Sequence, residues 1–310
     1  MSSGRVLVAG SVAVKSAALV APGDAIRVTG PPARFVSRGG DKLDWALARF
    51  SVPVAGAAAL DVGASTGGFT DCLLQHGAAS VVAVDSGHGQ LHPRLRADPR
   101  VTVWERTNAR SLLDRYPERK GAFDVVAVDV SFISLRTLAS VLVACTRPPT
   151  GDGAGGDLVL LVKPQFEAGR AEVSRGRGVV RHEATRLAAV VQVAHSLEEA
   201  GATVLDATAS PVLGPAGNAE FLLHARCGGG GLHPHGAAER RPWWPLVTAA
   251  VAAAPDAQRT ARTDPPATPA DGGAAGGEPG TAFDGDVQVD AHREPSGAAA
   301  TVATGATGAS

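Results

Sequence analysis

The chain reads as an α/β protein with a doubly wound, mainly parallel, Rossmann-like sheet, and three observations predict it. Four short apolar runs have the length and β-branched content of strands buried on both faces, around Leu60, Val81–Val84, Val125–Val128 and Leu158–Val162. Each run ends on a polar group: Asp61, Asp85, Asp129 and Lys163. Helix-length segments separate them, as repeated β-α units require. Open α/β sheets bind ligands in the crevice outside the carboxyl ends of their strands. These four residues are therefore expected along one rim, the layout of an enzyme site.

Taken in order, residues 5–28 supply short strands at Val6–Ala9, Val12–Val14 and Ala25–Val28, separated by Gly10 and the turn Pro22-Gly23-Asp24. So short a piece buries little surface, and it forms a separate segment, 1–32, closed by the stiff Pro31-Pro32. Over 41–50, Leu43, Ala46, Leu47 and Phe50 recur at helical spacing. The main domain, 33–228, is expected to hold strands near 57–62, 80–85, 101–104, 123–129, 157–163, 203–209 and 219–226. Helices fall near 70–76, 109–114, 134–145 and 183–200. Residues 147–156, rich in Pro and Gly, are expected to be a flexible loop. From 229 to 310 the chain is of low complexity. Beyond Asp256 its only large apolar residues are Phe283, Val287, Val289 and Val302, too few to offset the entropy of ordering, so a disordered tail is expected. A helix over 243–254 is the exception.

Composition narrows the class. At 310 residues the chain has ample length for a core. Its net charge of -1 hides an asymmetry. From Gly228 onward there are five Arg, no Lys and nine Asp or Glu, whereas residues 1–50 carry seven basic groups against three acidic ones. A basic front end fits a polyanionic partner. Cys72, Cys145 and Cys227 are far apart and odd in number, which argues against disulfides or a zinc site and fits a reducing cytoplasm. No apolar run approaches the roughly 18 residues that span a bilayer, so no membrane partner is expected. His88 and His92 stand at i, i+4 without a third ligand, and no metal is expected there.

The turn Asp61-x-Gly63-x-x-x-Gly67-Gly68 joins a strand to a helix. Glycine there permits a tight turn and close approach of backbone amides to a ligand. The spacing is not the G-x-G-x-x-G that clasps a pyrophosphate, and no Gly-Lys-Ser/Thr follows. A ligand without phosphates suits it better, and S-adenosylmethionine is the common one. Asp85, 22 residues after Gly63 at the next strand end, is placed to accept hydrogen bonds from both ribose hydroxyls. Asn108 is placed to meet the adenine. Ser65, Thr66, Gly67 and Phe69 complete the expected cofactor set with Asp61 and Gly63.

Lys163 ends a buried strand, where an unpaired ammonium is costly, and Asp129 on the neighbouring strand can pair with it. Lys42 lies just before the core and Glu220 begins the last strand. A Lys-Asp-Lys-Glu set converging near the cofactor suits methylation of a hydroxyl, which needs its proton withdrawn as the oxygen attacks. Burial and a second cation disfavour the charged form of a lysine, so Lys163 is the expected base.

Several runs together resemble the TlyA family. They are Phe35-Val36-Ser37-Arg38-Gly39-Gly40-Asp41-Lys42-Leu43, Leu60 to Asp71, Val84 to Leu91 and Glu105 to Arg110. Asp129 to Leu135, Leu161 to Arg170, Gly178-Val179-Val180 and Gly214 to Phe221 complete the set. The resemblance covers about residues 5–227. It implies a Rossmann-like methyltransferase that uses S-adenosylmethionine on cytidine 2′-hydroxyls of ribosomal RNA in both subunits. It puts the catalytic set on Lys42, Asp129, Lys163 and Glu220. It also implies an S4-type RNA-binding domain in front, of which this chain carries only what resembles the final strands. RNA contacts are expected from Lys15, Arg34, Arg38, Arg170, Arg175 and Arg177, with Phe132 or Phe166 stacking on an extruded base. Two alternatives stay open on the residues alone: a non-catalytic rRNA-binding assembly factor, and a methyltransferase with a non-RNA substrate.

Overall fold

Alternation along seven apolar strands builds one central sheet with two buried faces. In this computed structural model, which describes residues 6–13, 15, 17–151, 153–169, 176, 178–228 and 242–254, the strands are β4 (Ala58–Val62), β5 (Ser80–Val84), β6 (Val101–Trp104), β7 (Val125–Val128), β8 (Asp157–Val162), β9 (Ala202–Ala209) and β10 (Phe221–Cys227). Their order is β6-β5-β4-β7-β8-β10-β9, with β10 antiparallel to both neighbours and the other pairings parallel. All seven lie where the apolar runs predict them.

The period of two sorts the side chains. Leu60, Val62, Val126, Val128, Leu158 and Leu160 face one way, under helices α4 (Leu112–Arg115), α5 (Ala139–Cys145), α7 (Glu183–Glu199) and α8 (Trp244–Ala252). Ala59, Val81, Val125, Ala127 and Leu161 face the other way, under α1 (Arg38–Phe50) and α2 (Gly68–Gln75). Helix α1 offers Leu43, Ala46 and Leu47 to that core, and the Ser37 side chain caps its first turn by accepting from the Gly39 amide. The helices expected over 109–114 and 134–145 each open as a 3₁₀ turn, capped by Asn108 and Ser134. Two single-turn helices, α3 (Pro93–Arg96) and α6 (Pro164–Glu167), are too short for a periodic signal, although each carries proline in its first turn.

The order reverses at β4, with β5 and β6 on one side and β7 and β8 on the other. A crevice therefore opens between the carboxyl ends of β4 and β7. Gly63 lies there with φ of 89°, and a Cβ added to it would stand 2.5 Å from the Asp129 carbonyl oxygen. Only glycine allows the two strand ends to meet this closely.

Two expectations change. The end of the 147–156 loop is packed rather than free: a Cβ on Gly155 would lie 2.2 Å from the Cys227 carbonyl oxygen, and the Gly156 amide donates to Arg147 O. Asp61 is not a strand terminus, because β4 continues through Val62. The front segment forms its own antiparallel sheet, order β2-β1-β3, from β1 (Val6–Val8), β2 (Ser11–Val12) and β3 (Ile26–Val28). The tail expectation for 229–310 lies outside the described residues except at 242–254, where α8 packs on α7 and β9.

Gly63→Ala would combine a left-handed backbone with a backbone clash. It is expected to destabilise the fold by about 3 kcal/mol or more, read as a lower urea midpoint. A midpoint equal to the wild type would show that the two strand ends can separate.

Candidate active site

Glycines bring the first catalytic candidate into place. A Cβ on Gly40 would meet Phe35 at 2.2 Å, and one on Gly68 would meet Ser37 Oγ at 2.2 Å and Gly40 N at 2.9 Å. The start of α1 is thus pressed against the start of α2, and Lys42, one turn on, is buried. Asp71 on α2 holds the contact by accepting from the Val36 amide at 2.9 Å and from Arg94 at 2.8 Å.

Lys42 Nζ lies 2.5 Å from Glu220 Oε2, with both side chains almost fully buried. Glu220 precedes β10, and Gly214 leaves room for its carboxylate. Lys163, directly after β8, has Nζ 2.6 Å from Asp129 Oδ1 and donates to Ser131 Oγ at 2.9 Å. All four residues line one cavity of about 580 Å³, with Arg38, Gly63, Ser65, Thr66, Phe69 and Phe132 also on its wall. Two oppositely charged pairs therefore face a common space at the carboxyl edge of the sheet.

A second cavity of about 550 Å³ adjoins it, sharing Gly63, Ser65, Asp129, Ser131 and Phe132. Asp85, Gln90 and Asn108 line this one. Asp85 Oδ2 accepts from the Ser65 amide at 2.7 Å and Oδ1 from the Gly87 amide at 2.6 Å, so the acid pins the glycine turn to the next strand end. Each carboxylate oxygen keeps acceptor capacity for a ligand hydroxyl. Asn108 accepts from the Arg110 amide and so caps the turn that follows.

Asp61 lines neither cavity. Alternation turns it toward α2, where Oδ2 accepts from Thr70 Oγ1 at 2.6 Å, while Oδ1 has no partner among the described residues. Complete burial pushes its carboxyl up to about 7 against the Thr70 hydrogen bond, and the charges of Asp129 and Asp85 add to the rise. Gly67 lines neither cavity either: its φ is 98°, and a Cβ would collide with Leu95 and Leu91.

The aromatic and basic candidates divide. Phe132 is 92% exposed, has φ of 65°, and sits 5.1 Å from the half-buried Phe166 ring, both on the first cavity. Arg38 is also on its wall, whereas Arg34 lies over Phe35 and pairs with Asp44 at 2.6 Å. Lys15 is exposed on the front segment. Arg170, Arg175 and Arg177 lie outside the described residues. His88 pairs with Glu105 and His92 caps α3. Asp44, Cys72 and His76 do come together, but His76 and Arg34 occupy Asp44, and burial pushes the Cys72 thiol well up, away from the ligating thiolate.

Residue-type reasoning alone passed over Ser131, Gln165 and Asn218. Asn218 is buried and ties two loops, accepting from the Val180 amide and donating to Gly178 O at 2.9 Å each. Its only signal was its place beside Glu220 in the Gly214–Phe221 run.

Removing one member of a buried pair strands the other charge. Glu220→Ala is expected to cost about 3 kcal/mol in urea unfolding, and no loss would mean that Lys42 finds another partner. Asp61 carries a pH signature. Its folded-state value lies above 3.8, so the folded protein keeps a proton that the unfolded chain has released. Its contribution to stability therefore falls as pH rises between about 4 and 7. Asp61→Asn should flatten the decline relative to the wild type, and parallel curves for the two proteins would contradict this.

The FtsJ-like methyltransferase family matches residues 35–227. The chain is 46% identical over 228 residues to the 16S/23S rRNA (cytidine-2′-O)-methyltransferase TlyA of Mycobacterium tuberculosis, a match spanning 73% of this chain and 81% of the relative. It is 42% identical over 233 residues to YqxC of Bacillus subtilis, provisionally named an rRNA methyltransferase, covering 73% and 80% of the two chains. A solved structure from Streptococcus thermophilus, provisionally named a hemolysin, superposes with a TM-score of 0.64 at 35% identity, covering 81% of this chain and 86% of that one. No helix among the described residues is long and apolar enough to cross a membrane. With the matched segment, the paired lysines and acids and the glycine turn all in one domain, the chain belongs to the FtsJ-like methyltransferase family and, within it, to the TlyA group.

Proposed function

We propose that this protein methylates the 2′-hydroxyl of cytidines in ribosomal RNA of both subunits, with S-adenosylmethionine as donor. The observation that carries the reading is the pair of lysine–carboxylate contacts on one cavity, next to a second cavity walled by Asp85 and Asn108.

The donor set fits this cofactor. Asp85 and Asp129 put carboxylates on the wall of the second cavity, which suits a cationic ligand and opposes a phosphate. Asp85 would hold the ribose, Asn108 the adenine, and Gly63, Ser65, Thr66 and Phe69 the remainder. When bound, S-adenosylmethionine supplies a methyl group on a positively charged sulfur. Lys163 is the residue placed to take the proton of the attacking 2′-hydroxyl. Asp129 and Ser131 fix where Nζ points, and the Lys42–Glu220 pair stands on the wall of the same cavity.

An acceptor nucleotide must leave its stack to reach this cavity. Phe132 offers an exposed ring for the extruded base, with Phe166 beside it. Arg38 is placed for the phosphates near the cavity, and Lys15, Arg34, Arg170, Arg175 and Arg177 extend the basic contacts. The front sheet serves as the S4-type segment, and the cytoplasm, where ribosomal subunits are assembled, is the expected location.

Lys163→Ala is expected to lower methyl transfer to ribosomal subunits by roughly 10²–10⁴-fold while leaving the dissociation constant for S-adenosylmethionine largely unchanged. Transfer at the wild-type rate in this variant would remove Lys163 from the mechanism.

A further inference from the structure

We infer that Glu167 is a positioning residue that holds the Phe132 ring over the cavity. This rests on the methyltransferase reading for its consequence, and on the contacts of Glu167 with the loop after β7 for its geometry. Glu167 closes α6, the single turn that begins one residue after Lys163. Glu167 is 5% exposed, and its carboxylate reaches across to the loop after β7. There Oε1 accepts from the Leu135 amide at 2.7 Å and Oε2 from Ser134 Oγ at 2.5 Å. The Arg136 guanidinium approaches Oε2 at 3.6 Å from the exposed side.

The loop 129–135 is therefore fastened to the segment 163–167 at both ends. Asp129 and Ser131 meet Lys163 at one end, and Ser134 and Leu135 meet Glu167 at the other. Phe132 stands between the two fasteners. Its left-handed backbone and 92% exposure are both unfavourable for a phenylalanine left to itself. Strained residues of this kind persist only where the surroundings over-determine them. The same segment that presents the proton acceptor thus also sets where the aromatic ring stands.

The arrangement predicts a coupling between Glu167 and Phe132. If Glu167 acts through Phe132, removing Glu167 should matter only while the ring is there to be held. Methyl transfer to ribosomal subunits would be measured for the wild type, Glu167→Ala, Phe132→Ala and the double variant. Glu167→Ala is expected to lower kcat/KM for subunits about tenfold, with unchanged affinity for S-adenosylmethionine. In the Phe132→Ala background the same change should cost less than about twofold. Glu167→Gln, which keeps an acceptor for the Leu135 amide, should recover most of the activity. Additive losses, or failure of Glu167→Gln to recover, would overturn the proposal.

A second readout needs no substrate. With fluorinated phenylalanine, the Phe132 signal in ¹⁹F spectra, assigned by its loss in Phe132→Leu, should shift or broaden in Glu167→Ala and hold in Glu167→Gln. An unmoved signal would overturn the proposal even if activity falls. A wild type silent on subunits but with the expected ¹⁹F change would overturn the substrate reading and leave the positioning role standing.

Discussion

The meeting of Gly63 with the Asp129 backbone is the constraint on which the site depends. It joins the carboxyl ends of β4 and β7 at the point where the sheet order reverses, with no side chain between them. Two cavities meet at that contact, one lined by Asp85 and one by Lys163, with Gly63 and Asp129 on the wall of both. A donor on one side and an acceptor on the other can then meet across a few shared residues, which is the proximity that group transfer requires.

Charge is arranged around the same junction. The charges of Asp129 and Asp85 act on Asp61, the deepest of the three carboxylates, which burial holds partly protonated near neutrality. The two lysines answer this charge from the other side, each against its own acid. A buried pair such as Lys42–Glu220 adds little net stability compared with an apolar core, and its place at a cavity points to chemistry rather than to folding.

Much of this was legible in the sequence, for physical reasons that differ by element. The seven strands announced themselves because burial on both faces demands continuous apolar runs such as Val125–Val128 and Leu158–Val162. Lys163 and Asp129 stood out because charges at the ends of such runs are costly unless paired. Asp61 was misplaced on the rim because a run gives the length of a strand only to within a residue, and one residue turns a side chain to the other face. Ser131, Asn218 and Glu167 carry no signal of their own. Their roles come from contacts between segments distant in sequence, such as Glu167 with Ser134 or Asn218 with Val180. The short turn α6, with its proline at the first position, was invisible to periodicity for the same reason of length.

The measurement that bears most directly on this account is the chemical identity of the methylated product. Ribosomal subunits incubated with the protein and labelled S-adenosylmethionine would be digested to nucleosides and analysed by mass spectrometry. Label is expected in 2′-O-methylcytidine. Label on a base carbon or nitrogen, or on protein with none in RNA, would contradict it.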